Sequence, residues 1–282
     1  MKKTNKIIIF SYFILNIISN IAISPSDLMT YEEYKRKRFR IPYKFSLTKK
    51  DQCLFYFGAN HSCNPKDKQY PQLEKFWNKF IKQTKGKNCI VLVEGRVRKL
   101  FKNKEEAIIK GGCEGGFITL LAHQYNINTA CPEPHENLMI QQLSKCFSKD
   151  LISYTKIAQT ILQAIRISKV DKKFNFVDYL KPTIKYYLGN NKTIDDLKIL
   201  HKTLFNTTFN LKDEKFFYKI TNPVIQDTII NQVCRKNSIF RDLNIIKEIE
   251  KHICDKKNIF IVFGATHAIM QEKAIRNIWI KI

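Results

Sequence analysis

Two histidines stand at the same distance after a glycine, and each glycine ends an apolar run. In the first figure Leu54-Phe55-Tyr56-Phe57 leads into Gly58-Ala59-Asn60-His61. In the second Ile259-Phe260-Ile261-Val262-Phe263 leads into Gly264-Ala265-Thr266-His267. Runs this short, rich in β-branched and aromatic residues, predict buried strands rather than helices. Glycine at a strand's end permits a sharp turn or a close backbone approach. Each imidazole then falls just past the carboxyl end of a strand, where open α/β sheets carry their ligand sites. A further apolar run, Cys89-Ile90-Val91-Leu92-Val93, ends in Glu94, and a strand over 127–131 is followed by Glu133 and His135. On neighbouring parallel strands these side chains would share one rim. Imidazoles with a carboxylate are the donor set of a catalytic zinc, manganese, cobalt or iron ion with an open position. Such an ion acidifies bound water and polarises a carbonyl, so metal-assisted hydrolysis is the natural chemistry. Without a metal, a histidine beside a carboxylate could act as a general base.

Each candidate also has a bland reading. A single loop histidine is more often solvated or structural than a ligand; it is the matched pair that favours a site. Glu94 can simply mark a strand's exit into water. Glu114, with glycines at 111, 112, 115 and 116, reads either as a substrate-facing carboxylate or as a charge that complements a helix N-terminus. Arg241 and Asp242 would open a long helix, and alone they read as a surface ion pair of little energetic weight. His123, His201 and His252 fall within helical patterns, as surface or core residues. Cys63, two residues past His61, reads as a disulfide partner or an idle thiol, because nothing nearby would acidify it.

The elements that must position these residues follow from the pattern. A strand over 53–57 precedes a helix over 72–83, in which Leu73, Phe76, Trp77, Phe80 and Ile81 recur on one face. The strand over 89–93, a glycine-rich stretch, a helix over 117–124 and the strand over 127–131 come next. Strand, helix and strand in alternation, with nearly unbroken apolar strands, predict an α/β fold: a mostly parallel sheet flanked by helices. Residues 137–257 are mainly helical in pattern, over 137–147, 150–169, 193–205 and 221–253, with a break near Asn237-Ser238. That length exceeds an ordinary crossover and predicts a helical insert or cap over the sheet. Residues 278–282 read as a final strand. Residues 25–50 read as a basic linker with one short helix near 31–38. The chain thus divides into a leader (1–24), that linker, and one α/β domain (51–282) holding the insert.

The leader places Lys2, Lys3 and Lys6 before an apolar stretch and small residues at 22–24, the plan of a secretory signal. A cleaved signal is the first reading, an uncleaved anchor the second and a buried N-terminal helix the third, so an exported protein is expected, periplasmic, extracellular or membrane-anchored. Hydrophobic residues at 44% and aromatics at 12% exclude a generally disordered chain. The net charge of +24 is spread along the chain and densest at 35–40. No nucleic-acid partner is expected, whereas attachment to a membrane or another acidic surface is compatible with the charge. Eight cysteines lack a CxxC pair, which argues against a cysteine-rich zinc site and leaves disulfides open.

The ordered set resembles the TraB/GumN/TIKI family, and more distantly ChaN-like haem-binding proteins and erythromycin esterases. The likeness rests on Gly58-Ala59-Asn60-His61, Val91-Leu92-Val93-Glu94-Gly95-Arg96, Phe240-Arg241-Asp242-Leu243-Asn244 and Val262-Phe263-Gly264-Ala265-Thr266-His267. It covers most of 53–275 by order, though only four short blocks by sequence. Glu-Gly-Arg after the second strand departs from the Glu-Leu-Asp of many members. The resemblance implies a metal-dependent hydrolase, peptidase-like, with a divalent ion (manganese, cobalt or zinc) and a peptide or other amide or ester substrate. It implies His61, Glu94 and His267 as metal ligands, Glu94 and Glu114 as catalytic carboxylates, and Arg241 steadying charge. Its alternative is a peptide- or haem-binding protein without turnover on the same scaffold.

Overall fold

The computed structural model describes residues 23–170 and 173–282, so the predicted leader lies outside the described residues except for its last two. Five strands, β1 (Tyr43–Lys49), β2 (Gln52–Ala59), β3 (Cys89–Val93), β4 (Asn128–Ala130) and β5 (Asn258–Gly264), form one sheet in the order β1-β2-β5-β3-β4. The last four are mutually parallel, and β1 runs antiparallel along β2. This is the predicted α/β fold with a mostly parallel sheet. The chain passes from β2 to β3 and leaves a place between them. It fills that place with β5 some 160 residues later.

The apolar strands alternate between two cores. Leu54, Tyr56, Leu92, Ile259, Ile261 and Phe263 face one side of the sheet, whereas Phe55, Phe57, Val91, Val93, Phe260 and Val262 face the other. Successive side chains on a strand point to opposite faces, so a run apolar at every position requires cover on both. On one face the cover comes from α2 (Gln69–Thr84), with α3 (Lys104–Ile109) and α4 (Glu114–Gln124) beside it. Leu73, Trp77 and Phe80 of α2 are fully buried there, at helical spacing.

The insert begins with α5 (Glu136–Leu143) and α6 (Lys149–Val170), continues with α7 (Phe176–Leu188), α8 (Ile194–Phe205) and α9 (Glu214–Thr221), and closes with α10 (Ile229–Cys254). It owns a core, in which Tyr154, Ile161, Leu180, Leu197 and Phe217 are buried together. The 26-residue α10, about 39 Å long at 1.5 Å per residue, belongs to both bodies. Ile230 and Cys234 near its start pack into the insert, whereas Ile245, Ile246, Ile249 and Ile253 pack on the sheet. The expected break at Asn237-Ser238 does not occur. Asn237 is buried within a continuous helix that changes partners there.

Two further expectations are corrected. Within the supposed linker, α1 (Tyr31–Arg36) accounts for only a few residues, and 43–49 form the edge strand β1. Tyr43, Phe45 and Leu47 face the core in alternation with exposed Lys44, Ser46 and Thr48, a period-two pattern that the basic composition hid. The supposed final strand at 278–282 is instead the end of α11 (Ala265–Lys281). Ile275, Ile278 and Trp279 bury against the sheet from a helix, so tertiary packing overrides their β preference.

Candidate functional site

The glycines of the two Gly-x-x-His figures have complementary packing reasons. A Cβ on Gly58 would lie 2.8 Å from the Ala268 Cβ and 2.9 Å from the Ala265 Cα, so a bare backbone lets α11 settle onto β2. A Cβ on Gly264 would lie 2.4 Å from His61 Nε2, so a bare backbone there lets the first histidine lean over the central strand. Each glycine thereby admits the other figure's histidine segment. His61 itself has a left-handed backbone, φ 46°, in the loop after β2. His267 was expected in a loop but occupies the first turn of α11.

Both rings are fixed through Nδ1. His61 Nδ1 lies 2.5 Å from Glu114 Oε1, and His267 Nδ1 lies 2.6 Å from Asp242 Oδ1. An ionised carboxylate can only accept, so Nδ1–H is the donor in each pair. The two Nε2 atoms turn to one residue: His61 Nε2 is 3.5 Å from Glu94 Oε2, and His267 Nε2 is 3.6 Å from Glu94 Oε1. Glu94 stands immediately after β3 and still extends the ladder, its N–H donating to Val262 O at 3.2 Å. Its Oε2 accepts the Gly264 N–H at 2.7 Å, and its Oε1 accepts from Arg241 Nη2 at 3.2 Å. Arg241 Nη2 also donates to Glu133 Oε1 at 2.7 Å, and that oxygen takes the Gly95 N–H at 2.7 Å.

All five residues singled out from the sequence therefore converge: His61, Glu94, Glu114, Arg241 and His267. Of the two residues considered past β4, Glu133 joins them, whereas His135 is exposed and caps α5. His123 is exposed, and His201 is buried away from the rim with Tyr154 Oη 2.7 Å from its Nδ1. The surface reading of Arg241 and Asp242 is overturned. Asp242 is 1% exposed and sits mid-helix, accepting from His267 and, at 2.6 Å, from Gln271 Nε2. Gln271 in turn accepts from the buried Tyr56 hydroxyl at 2.8 Å. Gln271 was missed and Asp242 was read only as a surface residue, although one signal was present. Asp242, Ile245, Ile246, Ile249 and Ile253 share one helical face, and a carboxylate on a buried stripe requires a partner.

A disulfide braces the first histidine. Cys63 and Cys113 are bonded, so the loop after His61 is tied to the residue before Glu114. Cys113 has φ 58° and ψ −126°, and backbone this unfavourable in a non-glycine residue persists only where its surroundings enforce it. Tyr70 adds a hydrogen bond from its hydroxyl to Ser62 O. Arg98 packs against Gly112 and Gly115 and donates to the Glu94 carbonyl at 2.9 Å.

Charge dominates the rim. Burial opposes ionisation of Glu94, but His267, His61, Arg241 and the Gly264 amide together hold its carboxyl well below the usual range. Burial likewise works against a charged His61, yet Glu114 and Glu94 lift it to about 9. His267 is raised too, its burial and Arg241 being outweighed by Asp242 and Glu94. Four carboxylates (Glu94, Glu114, Glu133 and Asp242) thus face the guanidiniums of Arg241 and Arg98. The deficit of positive charge can be met by two imidazolium protons or by one divalent cation.

Comparison of the chain with protein-family models, with curated proteins and with solved structures returned no match.

The donors fit a divalent ion chemically. Imidazoles anchored through Nδ1 on carboxylates, with Nε2 left over, are the usual supported ligands. Nitrogen–oxygen separations of 3.5 and 3.6 Å are near the edge of about 3.4 Å that ~2.1 Å bonds give a tetrahedral site. As they stand, however, the described residues contain no group of three or more His, Cys, Asp or Glu side chains arranged to hold a metal. The two rings face opposite oxygens of Glu94, and each of those oxygens already accepts a hydrogen bond. Beside the rings opens a cavity of about 570 Å³, bordered by Ala59, Asn60, Thr266, Tyr34, Tyr218 and Arg166.

Proposed function

We propose that this rim is the reaction centre of a metal-dependent hydrolase, peptidase-like, acting on peptide or other amide or ester bonds. The observation that carries the reading is the pair of imidazoles, each anchored by a carboxylate at Nδ1 and presenting Nε2 to Glu94. His61, His267 and Glu94 would hold a divalent ion, manganese, cobalt or zinc. When bound, that ion supplies the acidification of water and the polarisation of the carbonyl.

The chain's own residues do the rest. Glu114 and Asp242 fix the tautomer and the orientation of the rings, so that both Nε2 lone pairs stay available. Glu94 serves either as the third ligand or as the base that takes up the proton of the attacking water. Arg241, ion-paired with Glu94 and Glu133, offers positive charge where negative charge develops on the carbonyl oxygen. The likeness to the TraB/GumN/TIKI family supports the same assignment of His61, Glu94, His267 and Arg241. The Cys63–Cys113 bond supports export, since disulfides persist in oxidising compartments.

Elemental analysis of the purified chain beside the His61→Ala/His267→Ala variant tests the reading. Stoichiometric metal and amide or ester hydrolysis, both lost in the variant without loss of fold, are expected. Undiminished hydrolysis in the variant would end the reading. A second reading, a peptide- or haem-binding protein without turnover, draws on the hydrogen bonds that already occupy both Glu94 oxygens. It requires stoichiometric binding with no product, or a haem absorbance band.

A further inference from the structure

The cavity beside the imidazoles does not end at them. A second cavity, of about 380 Å³, shares Tyr34, Arg166, Tyr218 and Thr266 with the first, so the two adjoin as one groove leading away from the rim. Its far part is bordered by Leu162, Pro223 and Val224. The walls mix aromatic and aliphatic groups with Asn60, Thr221, Asn222 and Thr266, and His61 and His267 stand at one end.

The charge of this groove is unlike that of the chain. With 49 lysines and arginines in the sequence, Arg166 is the one lysine or arginine among the described residues lining either cavity. No aspartate or glutamate lines them. Arg166 projects from α6 in the insert, is exposed, and pairs with no carboxylate among the described residues. An exposed guanidinium without a carboxylate partner, in a groove that has no acidic side chain and shares its walls with Tyr34 and Tyr218, can receive an anion from outside. A single guanidinium fork matches one planar carboxylate in charge and in geometry. The tyrosine faces and the Leu162–Val224 wall suit an aromatic or aliphatic side chain next to it.

We propose that this groove is the substrate cleft, and that Arg166 receives a carboxylate of the substrate. The class is then peptides or N-acyl amino acids that carry a free carboxylate beside an apolar side chain. The proposal rests on the hydrolytic reading only for which bond is cut; the recognition itself is an equilibrium property. Arg166 is a specificity residue contributed by the insert, whereas the sheet contributes the chemistry.

The test uses N-acetyl-phenylalanyl-leucine as the free acid and as its C-terminal amide, titrated calorimetrically into the full chain. The acid is expected to bind at least tenfold more tightly than the amide. Arg166→Gln removes that difference, Arg166→Lys keeps part of it, and Lys247→Gln, an exposed change on α10, leaves it intact. In hydrolysis of the acid, Arg166→Gln raises KM far more than it lowers kcat. Equal affinity for the two forms, no measurable binding of either, or a preference that survives Arg166→Gln would overturn the proposal. Acid preference lost in Arg166→Gln, in a chain that hydrolyses nothing, would uphold the cleft while refuting the hydrolase.

Discussion

Asp242 holds His267 as Glu114 holds His61, and at this scale each buried carboxylate decides what its ring can do. Asp242→Asn keeps the volume but removes the charge, and it allows the amide to donate, which favours the wrong tautomer of His267. Metal affinity is expected to fall about 10- to 100-fold with the circular dichroism spectrum unchanged; unaltered affinity would show Asp242 to be structural only. Gly264→Ala tests the close approach over β5. The new methyl would overlap His61 Nε2 at 2.4 Å, so metal and activity should be lost together, and a fully active variant would show that the ring has room to retreat. The raised titration of His61 has a consequence for stability in the metal-stripped chain. Its ring titrates near 6.5 when unfolded and near 9 when folded, where Glu114 and Glu94 outweigh the opposing effect of burial. The stabilisation is therefore fully present below pH ~6.5 and is lost as the pH rises through about 9. Thermal midpoints of the stripped chain should fall across that window, and Glu114→Gln should flatten the fall. An equally steep fall in the variant would assign it to other groups. Why three site residues were legible from the apolar pattern, while Arg241 and Glu114 took their roles from the family likeness, follows from the same chemistry. His61, Glu94 and His267 stand at strand ends, which a pattern of apolar runs marks. Asp242 and Gln271 lie inside helices, where only burial makes them remarkable.

Among the elements, the strand order matters more than any single strand. Because β5 lies between β2 and β3, the residues just past three adjacent parallel strands meet, and the long interval between His61 and His267 is closed by hydrogen bonds of the ladder. The sequence could announce these strands, since each reads as a short apolar run, but not their order. That order depends on which faces α10 and α11 cover once the chain has folded. β1 went unread because lysine and threonine fill its outward positions, the usual protection of an edge strand. The loop after β2 and the start of α4 are tied by the Cys63–Cys113 bond, which closes a loop of sequence separation 50. Chain entropy sets its contribution to stability at about 4 kcal/mol. The bond also spans the two segments that carry His61 and Glu114, so it should act on the site as well as on the fold. Cys63→Ser/Cys113→Ser is expected to weaken metal binding under conditions where circular dichroism shows the variant still folded. The free thiols elsewhere in the described chain, Cys53 to Cys254, offer no such link to the rim. Wild-type metal affinity in the folded double variant would confine the disulfide to stability.

For the molecule as a whole, the question is how two hydrophobic bodies share one helix. The sheet and its flanking helices bury one set of residues and the insert buries another, and α10 enters both. Arg241 and Asp242 occupy the stretch between Cys234, packed in the insert, and Ile245, packed on the sheet. The proposed reaction centre therefore lies where the helix passes from one core to the other, with Arg166 on the insert side of the adjoining groove. Such an arrangement would separate chemistry from recognition if the insert opens without dismantling the strand ends. Leu180, fully buried in the insert core, is the place to test it. Leu180→Ala should cost about 2–5 kcal/mol, and the cost should fall on the insert if that body opens as its own unit. Native-state hydrogen exchange would then show α6 and α7 amides speeding up in the variant while β5 amides keep their parent rates. KM for carboxylate-bearing substrates should rise as the Arg166 side of the groove loosens, and metal content should hold. If α7 and β5 accelerate by the same factor, the two bodies unfold together, and the cleft and the strand-end site stand or fall as one cooperative unit.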